Sequence, residues 1–171
     1  PVDLIGVLEF DAELNRFDFR AGHRAFALLV RLRHLAKTKV LVQTHEPYNY
    51  SLQAAAKMDF EKFYQEELAA RQEAGFPPFK HLLEIVLRSA SEMAAFDQAK
   101  ILSGVLLAAH LDDKIEIMAP QPAHQAKLRD QYRFVVMVKA AVVEDALAKI
   151  LPIIRALKKK KNVIITVNVD P

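Results

Sequence analysis

Apolar residues fall into runs along the 171-residue chain, and the period of those runs changes from segment to segment. Val2–Phe10, VDLIGVLEF, is nearly continuous, which is the pattern of a strand buried on both faces of a parallel sheet. Beyond Asp18, a candidate N-cap, the period lengthens. Ala25, Leu28, Leu29, Leu32 and Leu35 recur at helical spacing and predict a helix from about Phe19 to Lys37. Lys39–Thr44, KVLVQT, predicts a second strand, and strand, helix, strand make one right-handed crossover unit. Tyr48–Lys57 predicts a short helix. Asp59 then caps a longer one through FEKFYQEELAARQEAG, and Gly75 with Pro77-Pro78 marks its end. A domain boundary is expected there.

A second pattern starts at Lys80. His81–Arg88 predicts a strand, and Ser91 caps a helix packed through Ala94, Ala95, Ala99, Leu102, Val105, Leu106 and Ala109. Lys114–Met118 and Tyr132–Ala140 predict two strands, Val143 to about Leu157 a helix containing Pro152, and Val163–Val169 a last strand. Between Met118 and Tyr132, Pro120 and Pro122 predict a connection, because neither can donate a backbone hydrogen bond. The order β-α-β-β-α-β is that of a ferredoxin-like sandwich, two helices on one face of a four-stranded antiparallel sheet. The expected class is therefore α/β, turning to α+β in the second half. Residues 1–46 form a partial β-α-β lobe, residues 47–79 a helical linker ending in Pro-Pro-Phe, and residues 80–171 a C-terminal domain.

Composition narrows the chemistry. Hydrophobic residues make up 52%, enough for a buried core. The absence of cysteine removes disulfides, thiol catalysis and Cys-ligated zinc, and fits a cytoplasmic setting. No apolar run approaches the roughly 18 residues of a membrane span, so no membrane partner is expected. The chain opens at Pro1 and enters a strand at once, as a piece of a longer protein would. No Gly-rich phosphate loop is present, and the six histidines lack metal-ligand spacing. Asp11 and Glu13 have no histidine or nucleophile in register, so acid–base catalysis is not expected of them. No catalytic, cofactor or metal site is assigned to this chain. A net charge of +3 is a mild bias toward polyanions.

Two basic segments are the candidate binding residues. Lys127, Arg129 and Arg133 crowd around Tyr132; cations neutralise phosphates and an aromatic offers a stacking face. The plainer reading is a solvated connection with Arg133 paired to Asp170. Lys158, Lys159, Lys160 and Lys161 follow the last helix, where they either contact phosphates or complement the helix dipole. Arg20, Arg24 and Arg31 make a basic helix face of the same ambiguous kind. Gathering of Lys127, Arg129, Arg133 and the lysine run on one contiguous surface favours DNA, and scattering over opposite faces favours a protein-docking module.

Three pieces carry a resemblance: DFEKFYQEELAARQEAGFPPF at Asp59–Phe79, APQPAHQAKLRDQYRF at Ala119–Phe134 and VNVDP at Val167–Pro171. In this order, with LIGVLEFDAELNRFDFRAGHRAF near the start, the chain resembles the C-terminal part of the primosomal protein N′ family. These are the ATP-dependent replication-restart DNA helicases of bacteria. The resemblance implies that residues 1 to about 44 are the tail of a RecA-like helicase lobe. It implies that residues from about 80 form a domain recognising branched DNA. It also implies forked DNA, the single-strand-binding protein and other primosome proteins as partners, and a nucleoid-associated location. ATP, magnesium and zinc belong to family segments upstream of this stretch.

The departures are specific. The family carries Gln-Val-Ala-Gly-Arg-Ala-Gly-Arg where this chain has Arg31-Leu32-Arg33-His34-Leu35-Ala36-Lys37-Thr38. Leu35 and Thr38 replace the arginines that reach nucleotide phosphates, and Arg31 and Arg33 point to other sides of a helix. Ala119 and His124 replace an expected Gly and Pro. Val143 and Leu147 stand where some members dock the single-strand-binding protein through polar side chains. The chain is read as a DNA-binding and positioning module; a non-catalytic protein-interaction or regulatory domain is the alternative.

Overall fold

The computed structural model describes residues 2–16, 18–158 and 160–171. Two compact units divide the chain, Pro1–Ala74 and Gly75–Pro171.

In the first unit β1 (Val2–Val7) pairs in parallel with β2 (Ala36–Val42), Leu4 opposite Lys39 and Val7 opposite Val42. Between them lie α1 (Asp11–Leu14) and α2 (Ala21–Leu35). The doubly apolar pattern of β1 does not produce a doubly buried strand. Val2 and Leu4 are 53% and 51% exposed, because such a strand is buried only where layers cover both faces. The helix also starts later than expected. Asp18 accepts the Arg20 N–H at 2.9 Å and pairs with Arg24 at 2.7 Å, upstream of the first turn. Leu35 ends α2 and Ala36 begins β2 with no residue between them. Asp11 accepts hydrogen bonds from the Thr44 hydroxyl and the His45 N–H (2.9 Å), fastening the segment after β1 to the segment after β2. The Thr44 bond, aided by the His45 amide, holds its carboxyl below the usual carboxylate range. Glu13 pairs with Arg16 at 3.1 Å, so both carboxylates of this segment serve as braces.

Two further helices, α3 (Tyr50–Lys57) and α4 (Phe60–Ala74), complete this unit. Asp59 caps α4 through the Lys62 N–H at 2.9 Å. Phe26 stacks on Phe63 at 4.0 Å, in a core with Phe10, Ala25, Leu29 and Ala54. Beside it sits a buried polar group. Glu67, 8% exposed, accepts from the Tyr50 hydroxyl at 2.6 Å and from Arg71 Nε at 2.8 Å. Gly22 is the close approach that makes room: a Cβ there would lie 2.6 Å from Glu67 Oε2. Desolvation, reinforced by the Glu67 carboxylate, pushes the Tyr50 phenol up to about 12.

The second unit begins where Gly75 takes a φ of 61° beyond α4. Its sheet runs β4 (Ile115–Ile117), β6 (Gln131–Ala140), β3 (His81–Ser89), β7 (Ile164–Val169), with β5 (Gln121–Leu128) also paired to β6. Every pairing in it is antiparallel. Helices α5 (Glu92–Ala108) and α6 (Val143–Ala156) supply the other layer. Ser91 caps α5 by accepting the Ala94 N–H at 3.3 Å. Leu83, Ile85 and Leu87 of β3 and Val136 and Val138 of β6 pack with Leu102, Leu106 and Ile150 of the helices. Each such side chain contributes roughly 1.5–3 kcal/mol on burial. At the far end of β3, Asp170 accepts the Leu82 N–H at 2.8 Å and meets the His81 ring at 2.8 Å. Arg133 lies across from Arg88 at the other end of that strand, so the expected Arg133–Asp170 pairing is not formed.

The segment read as a connection is a strand. β4 occupies one stretch of the β6 edge and β5 the next, Ile117 opposite Val138 and Gln121 opposite Val135. Pro122 is tolerated because this is an edge, where a missing N–H leaves no neighbouring strand unpaired. Pro122 faces Phe134 and Lys127 faces Tyr132, so Ala123–Ala126 stand against Arg133 alone in a wide bulge.

Replacing Glu67 by Leu leaves the Tyr50 hydroxyl and the Arg71 guanidinium without their buried acceptor. We expect a loss of about 2–4 kcal/mol from the first unit, read as lost amide-exchange protection across α2, α3 and α4. The neutral phenol is the form that folding favours, since the folded Tyr50 pKa lies above its ordinary value of 10.0. Its contribution is complete below pH 10 and is lost as pH rises toward 12. Thermal unfolding between pH 9 and 11 should therefore steepen its pH dependence in the wild type relative to Tyr50→Phe.

Candidate nucleic-acid interface

Register decides which basic residues meet. Arg88 of β3 faces Arg133 of β6 on one side and Ile164 of β7 on the other, and Lys127 of β5 faces Tyr132. The last residues of β3 and β5 and the first of β6 and β7 thus share one end of the sheet. Lys127, Arg129, Tyr132 and Arg133 lie there, and the segment Lys158–Lys161 leads into β7 at the same end. From the β5 edge to the β7 edge is three strand spacings, about 14 Å, wide enough to span several backbone phosphates.

Strand alternation then divides the group. Lys127 holds its Nζ 5.0 Å from the Tyr132 ring centroid and 3.7 Å from the Asp130 carboxylate. Tyr132 shares the face of Phe134, which points to the helices. Arg133 points to the opposite face, with Arg88 beside it. Arg129 and Asp130 form the two-residue tip of the β5–β6 hairpin, with φ of 50° and 57°. These are the left-handed values that a tight hairpin demands of both central residues. The tip therefore holds Arg129 at the outermost point of the sheet.

The lysine run is fixed by a residue that its sequence neighbours do not reveal. Gln98 is fully buried in α5 between Ala95 and Ala99. Its Oε1 accepts the Lys160 N–H at 2.6 Å, and its Nε2 donates to the Lys158 carbonyl at 3.4 Å. An amide at an otherwise apolar helix position was the available signal. Lys160 Nζ pairs with Asp97 at 2.7 Å. Lys158 and Lys161 are exposed and, among the described residues, form no ion pair; Lys159 lies outside the described residues. Exposed pairs such as Lys127–Asp130 and Lys160–Asp97 are weak, so both lysines can still exchange a carboxylate for a phosphate.

The remaining candidates belong to the first unit. Arg20 lies over the Phe19 ring at 4.4 Å and Arg24 pairs with Asp18, while Arg31 is exposed. Leu35 and Thr38, standing in place of the expected arginines, are both exposed, one at the end of α2 and one in β2. Among the described residues no three His, Asp or Glu side chains gather as a metal site would require, and no helix is long and apolar enough to cross a membrane.

Residues 72–171 match the family model described as the primosomal protein N C-terminal domain. The chain is similar to the replication restart protein PriA of Bacillus subtilis (strain 168), 32% identical over 99% of this chain and 22% of that protein. PriA of Treponema pallidum (strain Nichols) is 32% identical over 80% of this chain and 22% of its own length. PriA of Thermotoga maritima is 26% identical over 91% of this chain and 21% of its own. The chain spans about a fifth of the length of the relatives it matches.

Gln98→Leu should fill the same space in α5 while releasing the Lys158 carbonyl and the Lys160 N–H. The expected result is a loss of about 1–3 kcal/mol, read as a lowered Tm, and amide exchange at Lys160 that speeds up more than exchange along β3 and β6.

Proposed function

Because this chain belongs to the primosomal protein N C-terminal domain family, matched over residues 72–171, we propose that it grips branched or forked DNA and positions a replication-restart helicase on it. The observation that carries this reading is the meeting of both basic segments at one end of the sheet, on opposite edges about 14 Å apart. Cations spread over that width contact several phosphates at once and release several counterions. Tyr132 adds a face on which a base at the fork can stack.

In the same reading the second unit is a ferredoxin-like sandwich with β5 added to one edge, and the first is the tail of a RecA-like lobe. ATP-driven translocation belongs to the longer protein, and the share of this chain is grip and orientation. The single-strand-binding protein and other primosome proteins are the partners the reading brings with it.

Two observations favour a protein-docking role instead: Lys127 with Tyr132 and Arg133 with Arg88 lie on opposite faces of the sheet, and α5 leaves Met93, Ile101, Val105 and Leu107 exposed, although packing through Val105 is expected from the sequence. Fluorescence anisotropy with a labelled forked DNA separates the two, measured across roughly 50 to 200 mM salt. Micromolar or tighter binding that weakens steeply with salt is expected. The Arg129→Ala/Lys158→Ala/Lys161→Ala variant should bind less tightly, with a salt slope shallower by about 3. Absence of binding at the low end of that range would overturn the DNA reading in favour of docking.

A further inference from the structure

Arg88 and Arg133 stand directly opposite each other on adjacent strands. Side chains so placed share one face, with Cβ atoms about 4.5–5.5 Å apart, and like charges there repel. A protein usually relieves such a pair with a carboxylate. Among the described residues neither guanidinium has an ion pair or a hydrogen bond. The nearest acidic residue on that face of β3 is Glu84, four residues or about 13 Å along the strand. Its carboxylate already accepts from Asn168 at 3.0 Å. β5, which borders Arg133, contains no acidic residue at all.

The ground beneath the pair is apolar. Val86 and Val135, the next residues on the same face, are buried together with Ala123 from the bulge of β5. The bulge sets Ala123–Ala126 against Arg133 alone, so the edge strand leaves that side chain unmatched. Arg133 is half-buried and Arg88 exposed. Two unopposed guanidinium groups beside a dry floor repel when the site is empty and attract once an anion lies between them. The two free oxygens of a phosphodiester fit a pair of guanidinium forks, and low local dielectric strengthens both contacts.

We infer that Arg88 and Arg133 form a seat for one backbone phosphate of nucleic acid, on the face of the sheet away from the helices. The inference rests on the DNA-binding reading and deepens it. One strand of the nucleic acid passes over the side of the hairpin opposite the Lys127–Tyr132 pair, which is left to the other arm of the fork, and Arg88 joins the residues that hold DNA.

The test uses the 171-residue chain with a labelled 20-nucleotide oligonucleotide, titrated across the same salt range. Arg88→Gln and Arg133→Gln should each weaken binding about tenfold and lower the salt slope by about 1. Their double variant should lower the slope by about 2. Arg88→Lys/Arg133→Lys should keep the wild-type slope with weakened affinity, since lysine retains the charge without the fork. Lys149→Gln, which removes the partner of Asp112, should bind as wild type. Thermal unfolding without DNA supplies the second readout. Removing one of two repelling charges should raise Tm at low salt and have no effect at high salt, which also shows that the variants fold.

A Gln double variant with wild-type affinity and slope would overturn the seat while leaving the DNA reading intact. A wild-type chain that binds neither the oligonucleotide nor the forked DNA would overturn both, and one that binds the fork but not the oligonucleotide would overturn the seat alone. Equal loss of poly-glutamate binding in the double variant, with poly-glutamate held as tightly as DNA, would reassign the pair to an acidic protein.

Discussion

The second unit depends on the ladder between β3 and β6. It runs without a break from His81 opposite Ala140 to Ser89 opposite Tyr132. Its register sends Leu83, Ile85 and Leu87 to the helices together with Phe134, Val136 and Val138. A slip of one residue would exchange this set for Arg88, Arg133 and Glu84, so burial of the helix face holds the register firmly. The same ladder places the functional candidates. Arg133 meets Arg88, and Tyr132 meets Lys127, only because the hydrophobic set on the other phase of each strand is fixed.

The edges of that ladder show how a polar surface can be held without a large polar core. On one edge the hairpin tip uses two left-handed residues to carry Arg129 outward. On the other, the buried amide of Gln98 bonds the Lys158 carbonyl and the Lys160 N–H. Both devices fix the main chain, while the charged ends of Arg129, Lys158 and Lys161 form no ion pair among the described residues and Lys160 pairs with Asp97 at the surface. Long side chains on a fixed backbone suit contact with a regular polyanion, whose phosphates vary in position more than in chemistry. The first unit uses the reverse arrangement. Its carboxylate Glu67 is turned inward, where it accepts from the Tyr50 hydroxyl and from Arg71 Nε and ties α3 to α4.

Much of this architecture was legible from residue order. The helices α2, α4, α5 and α6 and the strands β3, β6 and β7 follow from period and caps, with Asp59, Ser91 and Gly75 in the roles their chemistry suggests. Two readings failed for one reason, that a local pattern does not state its neighbours. The apolar run of β1 predicts a doubly covered strand, and its cover is incomplete. Pro120 and Pro122 predict a break, although an edge strand accepts Pro122. Asp18 likewise lost the cap position to a helix that starts at Ala21, because an Asx turn and the Arg24 ion pair satisfied it first.

By itself the sequence determined the class of the fold, the family and the two basic segments, because periodicity, capping and motif order are properties of neighbouring residues. Tertiary structure alone decided which cations share a face. Arg88 lies 45 residues from Arg133, and Gln98 lies 60 from Lys158. Strand pairing and burial act between such distant positions, and a strand's two faces become distinct only when one of them is covered.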